Sequence, residues 1–163
     1  MEKNYMTRKS HAAVEEKLKH FREKELPAIT REKMEAASQG DLSENAGYEY
    51  AKQKLEMIQN KILDLETQLH DVQYIEDLPI KGDIVSIGTR VTFQDLDAGG
   101  EVVYAILGPA DTDHTANVIS FKSPLARGMI AKKTGDTVTI KIPEGTRNLK
   151  VLKIERYFAK EQG

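Results

Sequence analysis

Eight positions, Tyr48, Ala51, Leu55, Ile58, Ile62, Leu65, Leu69 and Val72, follow one another in steps of 3, 4, 3, 4, 3, 4 and 3 residues. That alternation is a heptad seam held over about three to four repeats, the pattern of a helix that packs lengthwise on another. Glu, Lys, Gln and Asn fill the positions between. The spacing predicts a helix from about Ser43 to Gln73, roughly 45 Å long at the usual rise per residue.

A second helical segment precedes it, over about His11 to Ser38, rich in Ala, Glu, Lys and Met. Its seam is weaker. Val14, Leu18 and Phe21 keep a 4, 3 spacing, and Leu26, Ile29 and Ala37 continue out of register. Pro27 removes one backbone donor in the middle of the segment and predicts a kink. Gly40 ends the segment in the manner of a glycine beyond a helix C-terminus. Only a short connection then separates the two helices, and short connections make antiparallel neighbours. Gly40-Asp41-Leu42-Ser43-Glu44-Asn45-Ala46 forms that connection and places two carboxylates at the tip of the hairpin.

The periodicity changes around Asp77-Leu78-Pro79-Ile80. From Gly82 onward, short β-branched runs alternate with turn residues: Asp83 to Ile87, Arg90 to Phe93, Glu101 to Leu107, Asn117 to Ser120, Thr137 to Ile142 and Leu149 to Ile154. Ser123-Pro124 has the form of a helix start, with serine at the cap and proline in the first turn, and predicts a short helix through Ile130. The fold class is therefore α+β: an antiparallel helical hairpin over residues 1–78, then a small antiparallel sheet with one short helix over residues 79–163.

Composition changes this picture little. The chain has 163 residues, enough for two small domains, and many charged residues but few aromatics. Cysteine is absent, which excludes disulfides and thiolate metal sites. No signal peptide or membrane-spanning apolar run is read, so the expected location is cytoplasmic. Net charge is −2; residues 1–78 carry 12 Lys+Arg and 16 Asp+Glu, a balance of −4, and the rest carry 12 and 10, a balance of +2. Neither half is a polybasic grip, so any contact with DNA is expected to be weak or indirect.

Asp41 and Glu44 admit two readings. Aspartate at a helix cap with glutamate three residues on is a capping box. Capping does not explain why a slender hairpin would carry the pair away from the main body. Magnesium takes oxygen ligands in near-octahedral geometry and commonly uses one or two carboxylates with water and phosphate, so two acids make half a site. The positive end of the helix dipole disfavours a cation there, so the half-site would work only beside carboxylates of another protein. Tyr48 and Lys52 just past the tip are candidate RNA contacts, by stacking and by phosphate pairing; packing in the seam and a solvated helix flank are the plainer alternatives. The four histidines show no ligand spacing. The helix at Ser123–Ile130 reads first as a capped core helix whose Met129 and Ile130 could join a docking surface. Phosphate loops, nucleophile–histidine–acid sets and dinucleotide fingerprints are missing.

The tip motif with Tyr48, together with Ser123-Pro124-Leu125-Ala126-Arg127-Gly128-Met129-Ile130 and Gly135-Asp136, resembles the bacterial Gre transcript cleavage factors, on the less basic, GreA-like side of the family. The likeness runs from Met6-Thr7 to the final strand. It implies an N-terminal coiled coil and an FKBP-like C-terminal domain. It further implies docking on bacterial RNA polymerase at the secondary channel through Ser123, Pro124, Leu125, Ala126, Arg127 and Met129. The coiled coil would enter the channel, Asp41 and Glu44 would help hold a Mg²⁺ shared with the polymerase carboxylates, and backtracked nascent RNA would be cut near its 3′ end by the polymerase itself. One departure is Gly47, where the family often has Glu; it removes a charge and lowers helix propensity in the first turn. Two alternatives stand beside this reading: a channel-binding regulator that acts without cleavage, and a prolyl isomerase suggested by the FKBP-like fold alone.

Overall fold

The structure, a computed structural model, describes residues 3–40 and 45–158. It divides into two compact units, one of residues 11–71 and one of residues 1–10 with 72–163. Among the described residues no helix is long and apolar enough to cross a membrane.

The helical unit contains α1 (Arg8–His20), α2 (Leu26–Ala37) and α3 (Ala46–Gln68), and α1 starts three residues before the unit does. The seam of α3 packs as its spacing requires: Ala51, Ile58, Ile62 and Leu65 are buried and Tyr48, Leu55 and Leu69 half-buried. Three cross-helix contacts set the direction. Arg22 Nη2 meets Glu66 Oε1 at 2.6 Å, Lys33 Nζ lies 5.8 Å from the Tyr48 ring centroid, and the Ala36 carbonyl meets the Asn45 side chain at 2.6 Å. As numbers rise on one strand of the hairpin they fall on the other, so the pair is antiparallel.

The register break before Ile29 has a structural cause. Residues Phe21–Glu25 form a π-helical turn between α1 and α2, and the Leu26 N–H donates to the Phe21 carbonyl five residues back. A π turn absorbs one extra residue. Buried or half-buried positions include Val14, Leu18, Phe21 before it and Ile29, Lys33, Ala36 after it, each set spaced 4 and 3. The step from Phe21 to Ile29 is 8, one more than a heptad, and the π turn takes up that residue. Pro27 follows directly. Its missing N–H and its ring disfavour an ordinary α ladder through the preceding turn, so the expected distortion takes this form.

The helix predicted to reach Gln73 ends at Gln68. Asp71 takes a left-handed conformation, φ 51°, and Val72 enters β2 (Val72–Tyr74), which pairs in parallel with β1 (Asn4–Met6). That pairing places residues 1–10 and 72–78 with the sheet unit, a different division from the one drawn between residues 78 and 79.

The larger sheet has the order β5-β4-β3-β7-β6, from β3 (Thr89–Asp95), β4 (Glu101–Leu107), β5 (Val118–Ser120), β6 (Thr137–Ile142) and β7 (Gly145–Arg156). It is mixed rather than purely antiparallel, because β5 lies parallel to β4. The strand expected at Asp83–Ile87 does not form. Val85 instead exchanges backbone hydrogen bonds with Ala131 and Lys132, and the Ser86 carbonyl is turned onto the Thr89 hydroxyl at 2.6 Å. One face of the sheet buries Val91, Phe93, Ile106, Val138, Leu149 and Val151 against α4 (Pro124–Met129). The other face holds a smaller cluster of Ile75, Ala105, Leu107 and Val118.

Candidate functional site

Asp41 and Glu44 lie outside the described residues, and so does the loop between them. The geometry that bears on them is that of the two helix ends joined by this loop. α2 finishes at Ala37, Ser38 is its C-cap, and the chain turns through Gly40 at φ +117°, a conformation that favours glycine. α3 starts at Ala46 with Asn45 as its N-cap. The helix therefore opens later than the predicted Ser43, and Asn45 replaces Asp41 in the capping role. The Asn45 side chain accepts the Tyr48 amide at 3.0 Å, and the capping-box reading of Asp41 and Glu44 lies outside the described residues.

Asn45 makes a second bond that no capping rule foresees. Its Nδ2 donates to the Ala36 carbonyl at 2.6 Å. Oδ1 must face the Tyr48 N–H, so chemistry alone assigns Nδ2 to the carbonyl side. The Ala36 carbonyl is one of the α2 C-terminal acceptors that the helix leaves without a regular partner. One side chain thus satisfies a terminal donor of α3 and a terminal acceptor of α2. The residue type was a cap signal in the sequence; the bond to Ala36 depends on tertiary placement and was not.

Tyr48 is half-buried, and Lys33 lies at its ring face, so the ring contributes to the pairing of α2 with α3. Lys52 stands four residues further along α3 and is exposed. Tyr50, 58% exposed, is the freer aromatic near the tip, with Lys54 Nζ at 5.9 Å from its ring centroid. Among the described residues no group of three or more His, Cys, Asp or Glu side chains could hold a metal ion.

On the sheet unit, α4 forms where the sequence places it. Ser123 Oγ accepts the Ala126 amide at 3.1 Å and donates to the Ser120 carbonyl at 2.7 Å, and Pro124 follows in the first turn. The helix splits the six predicted docking residues. Ala126 and Met129 are fully buried in the sheet core and have no surface to offer a partner. Pro124 and Arg127 are exposed and Leu125 and Ser123 half-buried, so those four of the six keep surface. Arg127 also borders a cleft of about 380 Å³ with Lys3, Tyr5, Phe121 and Lys122. Tyr5 meets Phe121 edge-on at 5.6 Å between ring centroids. This cationic, aromatic-floored cleft was not legible locally, because Lys3 and Tyr5 reach it through contacts distant in sequence, the β1–β2 pairing among them.

Comparison with known proteins covers nearly the whole chain. A family model described as "Transcription elongation factor, N-terminal" matches residues 4–73, and one described as "Transcription elongation factor, GreA/GreB, C-term" matches residues 80–156. The chain is 40% identical over 150 residues to a transcription elongation factor GreA of Orientia tsutsugamushi (strain Boryong), spanning 92% of this chain and 94% of that one. It is 38% identical over 154 residues to a transcription elongation factor GreA of Acidiphilium cryptum (strain JF-5), spanning 94% and 98%. Among solved structures, GreA factor homolog 1 (Gfh1) of Thermus thermophilus aligns with a TM-score of 0.44 at 24% identity over 94% of this chain and 99% of that one.

Proposed function

Because this chain belongs to the GreA/GreB family of transcription elongation factors, we propose that it binds bacterial RNA polymerase and stimulates cleavage of backtracked nascent RNA by the polymerase. The antiparallel α2–α3 pair carries the reading: it ends in a loop whose two acids, Asp41 and Glu44, are not needed as the α3 cap, which Asn45 supplies.

In this reading the sheet unit docks at the rim of the secondary channel through Ser123, Pro124, Leu125 and Arg127. The helical pair extends into the channel. Asp41 and Glu44 contribute two carboxylates toward a Mg²⁺ whose remaining ligands belong to the polymerase. When bound, that ion lowers the pKa of a coordinated water and stabilises charge on a phosphodiester. The carboxylates of this chain orient that water at the scissile bond. Lys52 offers a phosphate contact and Tyr48 a base-stacking edge near the RNA 3′ end. The chain alone is not the catalyst, DNA contact is indirect, and the factor works in the cytoplasm with the polymerase.

A stalled, backtracked elongation complex tests this. Wild-type protein is expected to shorten the RNA and restore elongation; Asp41→Asn and Glu44→Gln are expected to abolish the shortening while still competing for the polymerase. Full cleavage by both variants would overturn the tip mechanism. Inhibition by the wild type with no shortening would assign the chain to the channel-occupying regulators instead, a reading that Gly47 in place of an acid favours.

A further inference from the structure

We propose that the cleft between β1 and α4 is a binding site for a free nucleoside polyphosphate, with its phosphates held by Lys3, Lys122 and Arg127 and its base laid against Tyr5 and Phe121. The site does not depend on the cleavage reading above; it shares Arg127 with the docking face proposed there.

Three separately anchored pieces of the sheet unit meet at this cleft. Tyr5 is the middle residue of β1, and its neighbour Thr7 donates its amide to both carboxylate oxygens of Asp111 at 3.3 Å. Phe121 directly follows β5, and its amide donates to the Leu107 carbonyl at 2.8 Å. Arg127 stands in the last turn of α4, whose start is capped by Ser123. The floor is therefore built before a ligand arrives, which spares the ordering cost of binding.

The lining selects the ligand. A volume of about 380 Å³ suits a small molecule. Among the described residues the walls are three cations and two aromatic rings, with no aliphatic or acidic side chain. An amphipathic helix seeks a row of apolar pockets, and a hard metal ion seeks carboxylates; the cleft offers neither. The Tyr5 and Phe121 rings stand at 88° with centroids 5.6 Å apart, so the ring that presents its edge keeps both faces clear of the other. A nucleobase stacks on such a face whatever its identity. Lys122 Nζ lies 5.8 Å from the Phe121 centroid, which places positive charge beside the stacking surface. Lys3 and Arg127 are exposed and have no ion-pair partner among the described residues. Arginine grips phosphate with a two-pronged fork and lysine as a point charge. Three cations around one small cleft match several negative charges on one ligand, hence a polyphosphate. Single-strand binders instead use a long groove that tracks the backbone, so a free nucleotide fits better than an RNA chain.

Calorimetric titration of the full chain, without polymerase and at about 0.15 M salt, tests this with three probes: ATP, inorganic tripolyphosphate and a short RNA without terminal phosphates. ATP is expected to bind saturably with a dissociation constant below about 1 mM. Tripolyphosphate should bind about 10-fold more weakly, for want of a base to stack. Lys3→Glu and Arg127→Glu change exposed side chains and should keep the melting transition while weakening ATP by about 10-fold or more. Tyr5→Leu removes a ring and leaves the cations, so ATP should fall to the affinity of tripolyphosphate. No saturable ATP binding by about 1 mM would overturn the proposal. So would equal affinity for ATP and tripolyphosphate, full ATP affinity in Lys3→Glu, or RNA binding tighter than ATP. None of those results touches the cleavage reading, which is decided on the backtracked complex.

Discussion

The Thr7 hydroxyl donates to Asp111 Oδ1 at 2.7 Å across 104 residues of sequence, and the same hydroxyl oxygen accepts the Ser10 amide at 3.1 Å. Thr7 is 7% exposed and therefore acts at once as the cap of α1 and as the fastening of β1 to the loop after β4. Asp111 returns the contact through Oδ2, which accepts the Gly108 amide at 3.0 Å. Nothing larger than glycine fits at 108, since a Cβ would stand 1.9 Å from the Tyr5 carbonyl.

Thr7→Val keeps the shape and removes both bonds of the hydroxyl. It is expected to destabilise the protein by about 1–2 kcal/mol, the usual cost of a lost cap or of a buried acceptor left short. Because Thr7 and Asp111 touch, a double-mutant cycle with Asp111→Ala should give a coupling of about 1 kcal/mol or more by denaturant melts. Simple additivity would show that the contact contributes nothing.

Met129 is buried and Arg127 exposed within one helix, so the two test folding and the proposed docking separately. Met129 is fully buried, so Met129→Ala should cost about 2–5 kcal/mol through the cavity it leaves. Arg127 is exposed and borders the cationic cleft, so Arg127→Ala should change stability by no more than about 0.5 kcal/mol. Polymerase affinity should nevertheless fall in the Arg127 variant. Unchanged affinity, measured by competition, would move the docking face away from α4.

The hairpin was readable in advance because its information is local: the α3 seam is a spacing of side chains along one stretch. The π turn was readable only as an anomaly, since an eight-residue step from Phe21 to Ile29 says that one residue is surplus but not where the chain hides it. The cap was misplaced because Asp and Asn are near-equal capping residues, and the choice of Asn45 depends on its reach to Ala36, a contact between helices. β1, three residues long, and the parallel placement of β5 against β4 rest on pairings far apart in sequence and left no periodic trace. The same reason hid the cleft at Lys3 and Phe121. The acids of the tip were legible as residue types, and their mutual geometry lies outside the described residues.

Gly47 sets two effects against each other. Gly→Ala in an exposed helix position gains up to about 1 kcal/mol of helix propensity. Against it stands the 3.3 Å approach of the new Cβ to Asn45 Oδ1, which requires a shift of a few tenths of an ångström in a side chain held by two hydrogen bonds. Gly47→Ala is expected to stabilise the helical unit by about 0.5 kcal/mol, roughly half the propensity gain, measured by thermal melts. A net loss would mean that disturbing the Asn45 bonds costs more than the helix gains.

Asp95 contributes to the sheet unit's dependence on acid. Its Oδ1 accepts the Ala98 amide at 2.9 Å and the Asp97 amide at 3.0 Å, and Arg147 Nε lies 3.8 Å from Oδ2. The Ala98 bond first, then the Asp97 bond, hold the carboxyl below its ordinary pKa; burial opposes them, and the Arg147 charge adds a smaller lowering. A carboxyl with a lowered folded-state pKa stabilises the fold fully above its unfolded value, about 3.9, and loses that contribution as pH falls through the lower folded value. Asp95→Asn keeps an acceptor oxygen at the turn but has no charge to lose. Wild type should therefore melt higher than the variant from neutral pH down to about pH 5, and the gap should close below about pH 4. Melts taken across that range decide it: a gap of constant size down to strong acid would place the effect in hydrogen-bond geometry rather than in the charge.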